Sequence, residues 1–302
     1  MSLVSGSLSK EEAHIIKGLI VGKKYKMTET KPADGYVTAE SIEFTVENTK
    51  EVQKHQMLDD VTKVEISKKD ITNSSEVPGA KLIILDKDGK KVESWTSTDK
   101  PHMVEKLPVG EYTLREEQAP DGYLIAEDVK FTVKDTGKIQ KVKMKDAHPY
   151  GKLVIKKTDS TSKAALPGAE FELREKESGK VVEKLVTDKT GTATSGKIPI
   201  ATYKNGKVEK TVEYILVETK APNGYELSSK KEEIRFEYKD GKTKVIEIVK
   251  EIKNTKSPSG STPTGNSPKT GDSTNIWLPI LLAVLSACGI GGVVWDKKKQ
   301  GN

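Results

Sequence analysis

The sequence has few of the residues that usually reinforce a small domain. Among its 302 residues there is one cysteine, Cys288, and aromatic residues make up only 5% of the chain. A single cysteine cannot form an internal disulfide, and few aromatic residues leave a core that is thin and mostly aliphatic. We therefore expect another source of stability in any folded module of this chain.

Other absences exclude whole classes of function. The four histidines (14, 55, 102 and 148) lack metal-ligand spacing, and the chain has neither a phosphate-binding loop nor a nucleophile elbow. The net charge of +6 is spread over mixed Lys/Glu segments, without a basic run interleaved with aromatics, so we expect no nucleic-acid partner. The sequence predicts no enzyme activity, no metal and no other cofactor.

The C-terminal region carries a membrane-span pattern. Ile276–Trp295 is a run of 20 residues without a charge, long enough to cross a bilayer as a helix. Asp296 and three lysines follow it, and positive charge on this short distal side predicts a cytoplasmic tail. By contrast, Met1–Lys10 has no apolar segment typical of a signal peptide.

A short peptide before this run completes a recognisable set of features. Ser267-Pro268-Lys269-Thr270-Gly271, the apolar run and the basic tail together resemble the LPXTG-like sorting signal of sortase substrates in Gram-positive bacteria. The usual first residue of that signal is Leu, so Ser267 leaves the sortase class open. The resemblance implies cleavage between Thr270 and Gly271 and transfer of the threonine carbonyl to cell-wall peptidoglycan. A wall protein must be exported, so we expect the gene product to begin upstream of Met1.

An internal repeat divides the rest of the chain. Three similar stretches start at Tyr25, Tyr112 and Tyr214, and each runs from an alternating segment into a turn rich in Pro, Gly and Asp or Asn. The first two are 87 positions apart. We therefore divide the chain into an incomplete module (1–60), a complete module (61–148), a module with an insertion around 195–210 (149–256), a Ser/Pro/Thr/Gly linker with the sorting motif (257–275), and the membrane helix with its tail (276–302).

The periodicity of these modules predicts β-sandwiches. Short runs with period two, such as Lys81–Leu85 and Val129–Val133, are separated by turn signals such as Asp88-Gly89. About seven short strands per module are typical of an immunoglobulin-like sandwich. The predicted fold class is all-β, with tandem sandwich modules and one C-terminal transmembrane helix.

Strand parity places ionisable side chains on the inward face of each complete module. In the second module these are Lys68, Glu116 and Asp146, which continue rows of apolar residues. The corresponding residues of the third module are Lys157, Glu218 and Asn254.

Burial of such groups unpaired is costly, and it favours a neutral amine and a protonated carboxylic acid. A neutral amine can attack a side-chain carbonyl while the glutamate polarises that carbonyl and relays protons. The product would be an intramolecular amide, with loss of water at Asp146 and of ammonia at Asn254. An ordinary buried ion pair is the alternative.

Three motifs carry a resemblance to one family. The Lys-x-Asp openings (68–70 and 157–159), the Tyr-x-Leu-x-Glu-x-x-Ala-Pro-x-Gly-Tyr box and the closing Asp or Asn strand resemble Cna B-type, or SpaA-like (prealbumin-like), domains of Gram-positive adhesins and pilins. The resemblance implies isopeptide bonds from Lys68 to Asp146 with Glu116 assisting, and from Lys157 to Asn254 with Glu218 assisting.

The first module departs from this pattern. It has Glu29 and the candidate acceptor Asp59, with Asp60 as a competitor beside it, but no lysine strand precedes them. By the repeat spacing, that lysine would lie before Met1, so we expect this module to be incomplete.

These features predict a secreted, cell-wall-anchored stalk or adhesin of a Gram-positive bacterium, stiffened by isopeptide bonds. Its expected partners are sortase and cell-wall peptidoglycan. The sequence leaves open whether a host extracellular ligand binds a region N-terminal to Met1. A pilin subunit polymerised by a pilus sortase is the alternative, although His148-Pro149-Tyr150 is not the Tyr-Pro-Lys-type motif of family shafts. A ligand-binding module is a further alternative.

Overall fold

The computed structural model describes residues 14–258, and this part of the chain is built entirely from β-strands and connecting loops. The prediction of tandem all-β modules is confirmed. No helix occurs among the described residues, so none of them forms a helical membrane span. The predicted helix at Ile276–Trp295 and the sorting peptide Ser267–Gly271 lie outside this range.

The second module is a sandwich of seven strands in two sheets. The strands are β3 (Lys63–Asp70), β4 (Lys81–Asp86), β5 (Lys91–Thr96), β6 (His102–Glu105), β7 (Gly110–Gln118), β8 (Val129–Val133) and β9 (Ile139–Asp146). One sheet has the order β6-β3-β9 and the other β5-β4-β7-β8. Between them lies an aliphatic core that includes Ile66, Leu82, Leu114 and Met144.

The third module repeats this sandwich and adds a hairpin. The strands are β10 (Tyr150–Asp159), β11 (Glu170–Glu175), β12 (Val181–Val186), β13 (Thr192–Thr194), β14 (Ile198–Pro199), β15 (Ala201–Lys204), β16 (Lys207–Thr211), β17 (Glu213–Lys220), β18 (Glu232–Arg235) and β19 (Val245–Asn254). One sheet joins β13, β10, β14 and β19, and the other has the order β12-β11-β17-β18. The core of the module includes Ile155, Phe171, Leu216 and Phe236.

In both modules the first and last strands lie side by side and parallel. In the second module Asp70 of β3 is opposite Asp146 of β9, so Lys68 reaches diagonally to the acceptor two positions ahead. In the third module Asp159 of β10 is likewise opposite Asn254 of β19. A cross-link at this place therefore joins the two strands through which the chain enters and leaves the sandwich.

The insertion of the third module forms the separate hairpin β15–β16. Its turn is Asn205-Gly206, with φ of 51° and 70°. Two consecutive residues with positive φ are typical of the type I′ turn, whose twist suits a two-residue hairpin.

The described part of the first module has one small sheet, made of β1 (Lys24–Met27) and β2 (Ile42–Thr45). Tyr25 is opposite Phe44 in this sheet, as Tyr112 is opposite Phe131 in the second module. The repeat seen in the sequence is therefore also a repeat of strand pairing.

Candidate functional site

The second module brings its three predicted site residues together in the core. Lys68 on β3, Glu116 on β7 and Asp146 on β9 are at most 4% exposed. The Lys68 amine contacts Asp146 Oδ1 and lies 3.0 Å from Glu116 Oε2. The backbone N–H of Ala126 donates to Glu116 Oε2 at 2.6 Å, which holds the glutamate in place.

The third module holds its triad in the same arrangement. Lys157 contacts Asn254 Oδ1, and its Nζ lies 2.9 Å from Glu218 Oε1. The Asn254 amide donates from Nδ2 to the two Glu218 oxygens at 3.0 and 3.1 Å, and Ser228 N–H donates to Oε2 at 2.9 Å. The Phe171 ring, 5.5 Å from the amine, shields it on another side.

Burial changes the protonation of both sites. It raises the pKa of the Asp146 carboxyl to about 7; the Lys68 charge opposes this shift and the Glu116 charge adds to it. Burial also lowers the pKa of Lys157, against the effect of Glu218. Each shift favours the neutral form of the group, which is the acid in one module and the amine in the other.

Two buried oxygens of the second site have no hydrogen-bond partner. They are Glu116 Oε1 and Asp146 Oδ2. A proton on the Asp146 carboxyl, whose pKa is raised, would remove the cost of a buried charge there and supply a hydrogen-bond donor.

These arrangements can form an amide by a balanced reaction. The lone pair of a neutral lysine Nζ attacks Cγ of the acceptor, the new C–N bond forms, and a C–O bond of Asp146 or the C–Nδ2 bond of Asn254 breaks. The glutamate takes the proton from the amine and passes it to the leaving group, which departs as water or as ammonia. No metal or other co-reactant is needed.

The aspartates of the Lys-x-Asp motifs have roles that sequence reasoning missed. Asp70 accepts hydrogen bonds from Thr72 N–H at 2.7 Å and from the Tyr123 hydroxyl at 2.9 Å. Asp159 accepts from Thr161 N–H at 2.8 Å and from the Tyr225 hydroxyl at 2.9 Å. Each aspartate therefore ties the end of the lysine strand to the last tyrosine of the box. The sequence pattern could have indicated this role, because the Lys-x-Asp opening and the box that ends in this tyrosine occur together in both complete modules.

The first module shows only part of this site. Ala39 N–H donates to Glu29 Oε2 at 2.7 Å, the same ten-residue contact that orients Glu116 and Glu218. Asp59 is exposed, and within residues 14–258 no hydrogen bond or ion pair joins it to Glu29. The neighbouring Asp60 instead pairs with Lys63 of the second module at 2.7 Å.

Residues 14–258 contain no group of three or more His, Cys, Asp or Glu side chains that could hold a metal ion. The predicted sorting residues lie outside this range; they are Ser267, Pro268, Lys269, Thr270 and Gly271.

A family model for the SpaA prealbumin-like fold domain matches the chain twice, over residues 62–148 and 151–252. These matches cover more than half of the sequence, and the chain belongs to this family. A comparison with curated proteins found no match.

Several solved structures are similar to the chain. The Bacillus anthracis TIE protein is 30% identical with a TM-score of 0.50; the match covers 78% of this chain and 42% of the TIE protein, so the chain spans less than half of that relative. A streptococcal ancillary pilin is 18% identical, with a TM-score of 0.30 and coverage of 79% and 76%. The major pilin SpaD of Corynebacterium diphtheriae is 15% identical, with a TM-score of 0.29 and coverage of 65% and 98%.

Proposed function

We propose that this chain is part of a surface stalk, anchored to the wall of a Gram-positive cell by sortase and stiffened by two intramolecular isopeptide bonds. The observation that carries the proposal is the repeated buried triad. Two sandwiches each place one lysine amine against a side-chain carbonyl, with a glutamate in contact with the amine. Membership of the SpaA-type family supports a surface protein of this kind.

The stabilisation expected from such bonds is large for these domains. The bonds would close loops of 78 and 97 positions. The chain-entropy argument gives about 4.5 kcal/mol for either loop, which is comparable with the whole stability of a small domain, about 5–15 kcal/mol. The bonds would therefore supply the reinforcement that the cysteine-poor sequence otherwise lacks.

The position of the bonds also suits a load-bearing protein. The first and last strands of each sandwich are parallel neighbours. Tension that enters through one strand would pass across the amide into the other, so the sheets between them need not unzip. The chemistry acts once and within the same molecule, so the proposed function is structural and not enzymatic.

The test is the mass of the intact 302-residue chain, measured in denaturant beside Glu116→Ala, Glu218→Ala and the matched control Glu117→Ala, which changes the adjacent exposed glutamate. The parent chain should be lighter than its sequence mass by one water and one ammonia. Glu116→Ala should regain the water and Glu218→Ala the ammonia, while Glu117→Ala should keep both deficits. An unmodified parent mass would reduce both triads to buried ion pairs.

Anchoring needs a separate measurement. When the chain is displayed on a Gram-positive cell with its own sortases, Thr270→Ala should shift it from the wall fraction released by muralytic enzymes to the membrane fraction. Retention in the wall fraction would exclude cleavage after Thr270.

A further inference from the structure

A side-chain contact closes the strand pair just beyond the second triad. His148 follows Asp146 by two positions, and its Nε2–H donates to Asp70 Oδ2 at 3.1 Å. Asp70 is opposite Asp146 in the sheet, and Ile71 N–H donates to the Asp146 carbonyl at 3.0 Å. The Asp70–His148 contact therefore adds a side-chain link between the end of β3 and the residue just beyond β9, next to Lys68 and Asp146.

The hairpin inserted in the third module holds His148 in this position. The Tyr203 ring of β15 stacks on the imidazole, with centroids 3.5 Å apart and planes 4° from parallel. The Tyr203 hydroxyl donates to the Gly122 carbonyl at 2.8 Å, which attaches the hairpin to the second module. At the hairpin turn, a Cβ on Gly206 would overlap the Glu76 carbonyl oxygen, so this close approach requires glycine.

Within residues 14–258 the third triad has no such histidine–aspartate contact; at the corresponding strand ends Ser160 Oγ lies 3.4 Å from Thr255 Oγ1. The residue two positions after Asn254 is Lys256, which is exposed and bridges only to the backbone of Tyr225. Tyr225 itself is half-buried, whereas Tyr123 is fully buried. The two modules thus differ in the support given to the strand end that carries the acceptor.

We propose that His148 is a positioning residue for the Lys68–Asp146 bond, and that Tyr203 of the third module acts through it. This inference rests on the isopeptide function proposed above. The hydrogen bond to Asp70 keeps the ends of β3 and β9 together, and the stacked tyrosine keeps the imidazole plane aimed at the carboxylate. Docking of the third module thereby accelerates the cross-link of the second, whereas the third-module bond forms without help from its neighbour.

The test follows both bonds within the same molecules. The full chain is made in a short cell-free pulse and quenched into denaturant at intervals. Mass spectrometry of proteolytic peptides then gives the fraction of Lys68 joined to Asp146 and of Lys157 joined to Asn254. The variants are His148→Ala, Tyr203→Ala and two conservative changes, His148→Gln and Tyr203→Phe.

Loss of a hydrogen bond to a carboxylate should slow the Lys68–Asp146 bond about tenfold in His148→Ala. Loss of the stacked ring should slow it about threefold in Tyr203→Ala. The Lys157–Asn254 rate should stay unchanged in both. His148→Gln keeps a donor at the same place and Tyr203→Phe keeps the ring, so both should stay within about twofold of the parent.

Three outcomes would overturn the inference. An unchanged Lys68–Asp146 rate in His148→Ala would show that the contact does not position the reacting strands. Equal slowing of both bonds would point to impaired folding of the whole chain. A parent chain that forms neither bond would remove the isopeptide function and this inference with it, whereas the first two outcomes leave that function intact.

Discussion

The two complete sandwiches present the same triad with different acceptors, and the hydrogen bonds around the acceptors differ accordingly. In the third module the Asn254 amide donates to both oxygens of Glu218. In the second module one oxygen of Asp146 and one of Glu116 are buried without a partner. An amide acceptor brings its own protons to the glutamate, whereas a carboxyl acceptor must take one up.

The two sites share their geometry and differ in the protonation of the acceptor. The lysine amine lies 3.0 Å from its glutamate in the second module and 2.9 Å in the third, so the arrangement of the two side chains is the same. The second site depends in addition on a proton held at a carboxyl whose pKa is raised to about 7. The acceptor of the second module therefore titrates, whereas the amide acceptor of the third does not.

The largest expected effect comes from removal of each lysine. Lys68→Ala leaves Asp146 and Glu116 side by side without a cation, whereas Lys157→Ala leaves Glu218 with the Asn254 amide as donor. Loss of a cross-link removes about 4.5 kcal/mol, and an uncompensated buried charge costs about 3–5 kcal/mol more. Limited proteolysis with mass readout should show the second module cut readily in Lys68→Ala and the third module more resistant in Lys157→Ala.

Lys156→Ala is the control for this comparison, because Lys156 is exposed on the opposite face of β10. It should change neither the cleavage pattern nor the mass deficit. If Lys157→Ala proved as damaging as Lys68→Ala, the acceptor amide would not be compensating Glu218.

Exchange of the acceptor should have a smaller effect on stability but a clear effect on the chemistry. Asp146→Asn supplies an amide that can donate to Glu116 Oε1, as Asn254 does to Glu218. The bond from Lys68 should still form, and the intact mass should now show the loss of two ammonia molecules in place of one water and one ammonia. A chain that keeps the amide at position 146 would mean that the second site is specific for a carboxylic acid.

The rates of the two bonds should respond differently to pH. Above its raised pKa of about 7 the Asp146 carboxyl loses its proton and becomes a poor electrophile, which offsets the gain in neutral amine, so the Lys68–Asp146 rate should rise less than the Lys157–Asn254 rate as pH rises from 6 to 8.5. The Asn254 amide does not titrate, and the lowered pKa of Lys157 lets its neutral amine increase over the same range. Time courses quenched into denaturant would measure both rates, and parallel curves would contradict the assigned roles.

Much of the candidate site could be predicted from the sequence because strand parity is a local property. Alternation along β3 and β7 was enough to expect Lys68 and Glu116 in the core, where they are 2% and 4% exposed. The 87-residue spacing likewise related Glu29 to Glu116, and both glutamates accept the same backbone hydrogen bond.

The contacts between modules could not be predicted in this way. Tyr203 lies in a hairpin rich in charged residues, and nothing in its neighbours along the chain indicates a histidine of the preceding module as its partner. Asp70 was recognised as part of a motif, but its hydrogen bond to Tyr123 joins a strand end to a loop, where alternation gives no direction.

The smallest expected effect concerns the stability of the third module at acidic pH. Hydrogen bonds from Ser162 N–H and Thr161 N–H, followed by the Tyr225 hydroxyl, lower the pKa of Asp159 to about 2. A depressed acid stabilises the fold fully above its unfolded pKa of about 3.9, and this contribution is lost as pH falls through about 2. Asp159→Asn keeps an acceptor oxygen but cannot ionise, so it should lower the urea midpoint of the third module at pH 5 and leave it nearly unchanged at pH 2. NMR signals from the amides of β10 and β17 would follow that module alone. An equal loss at both pH values would mean that the aspartate acts through its shape and not its charge.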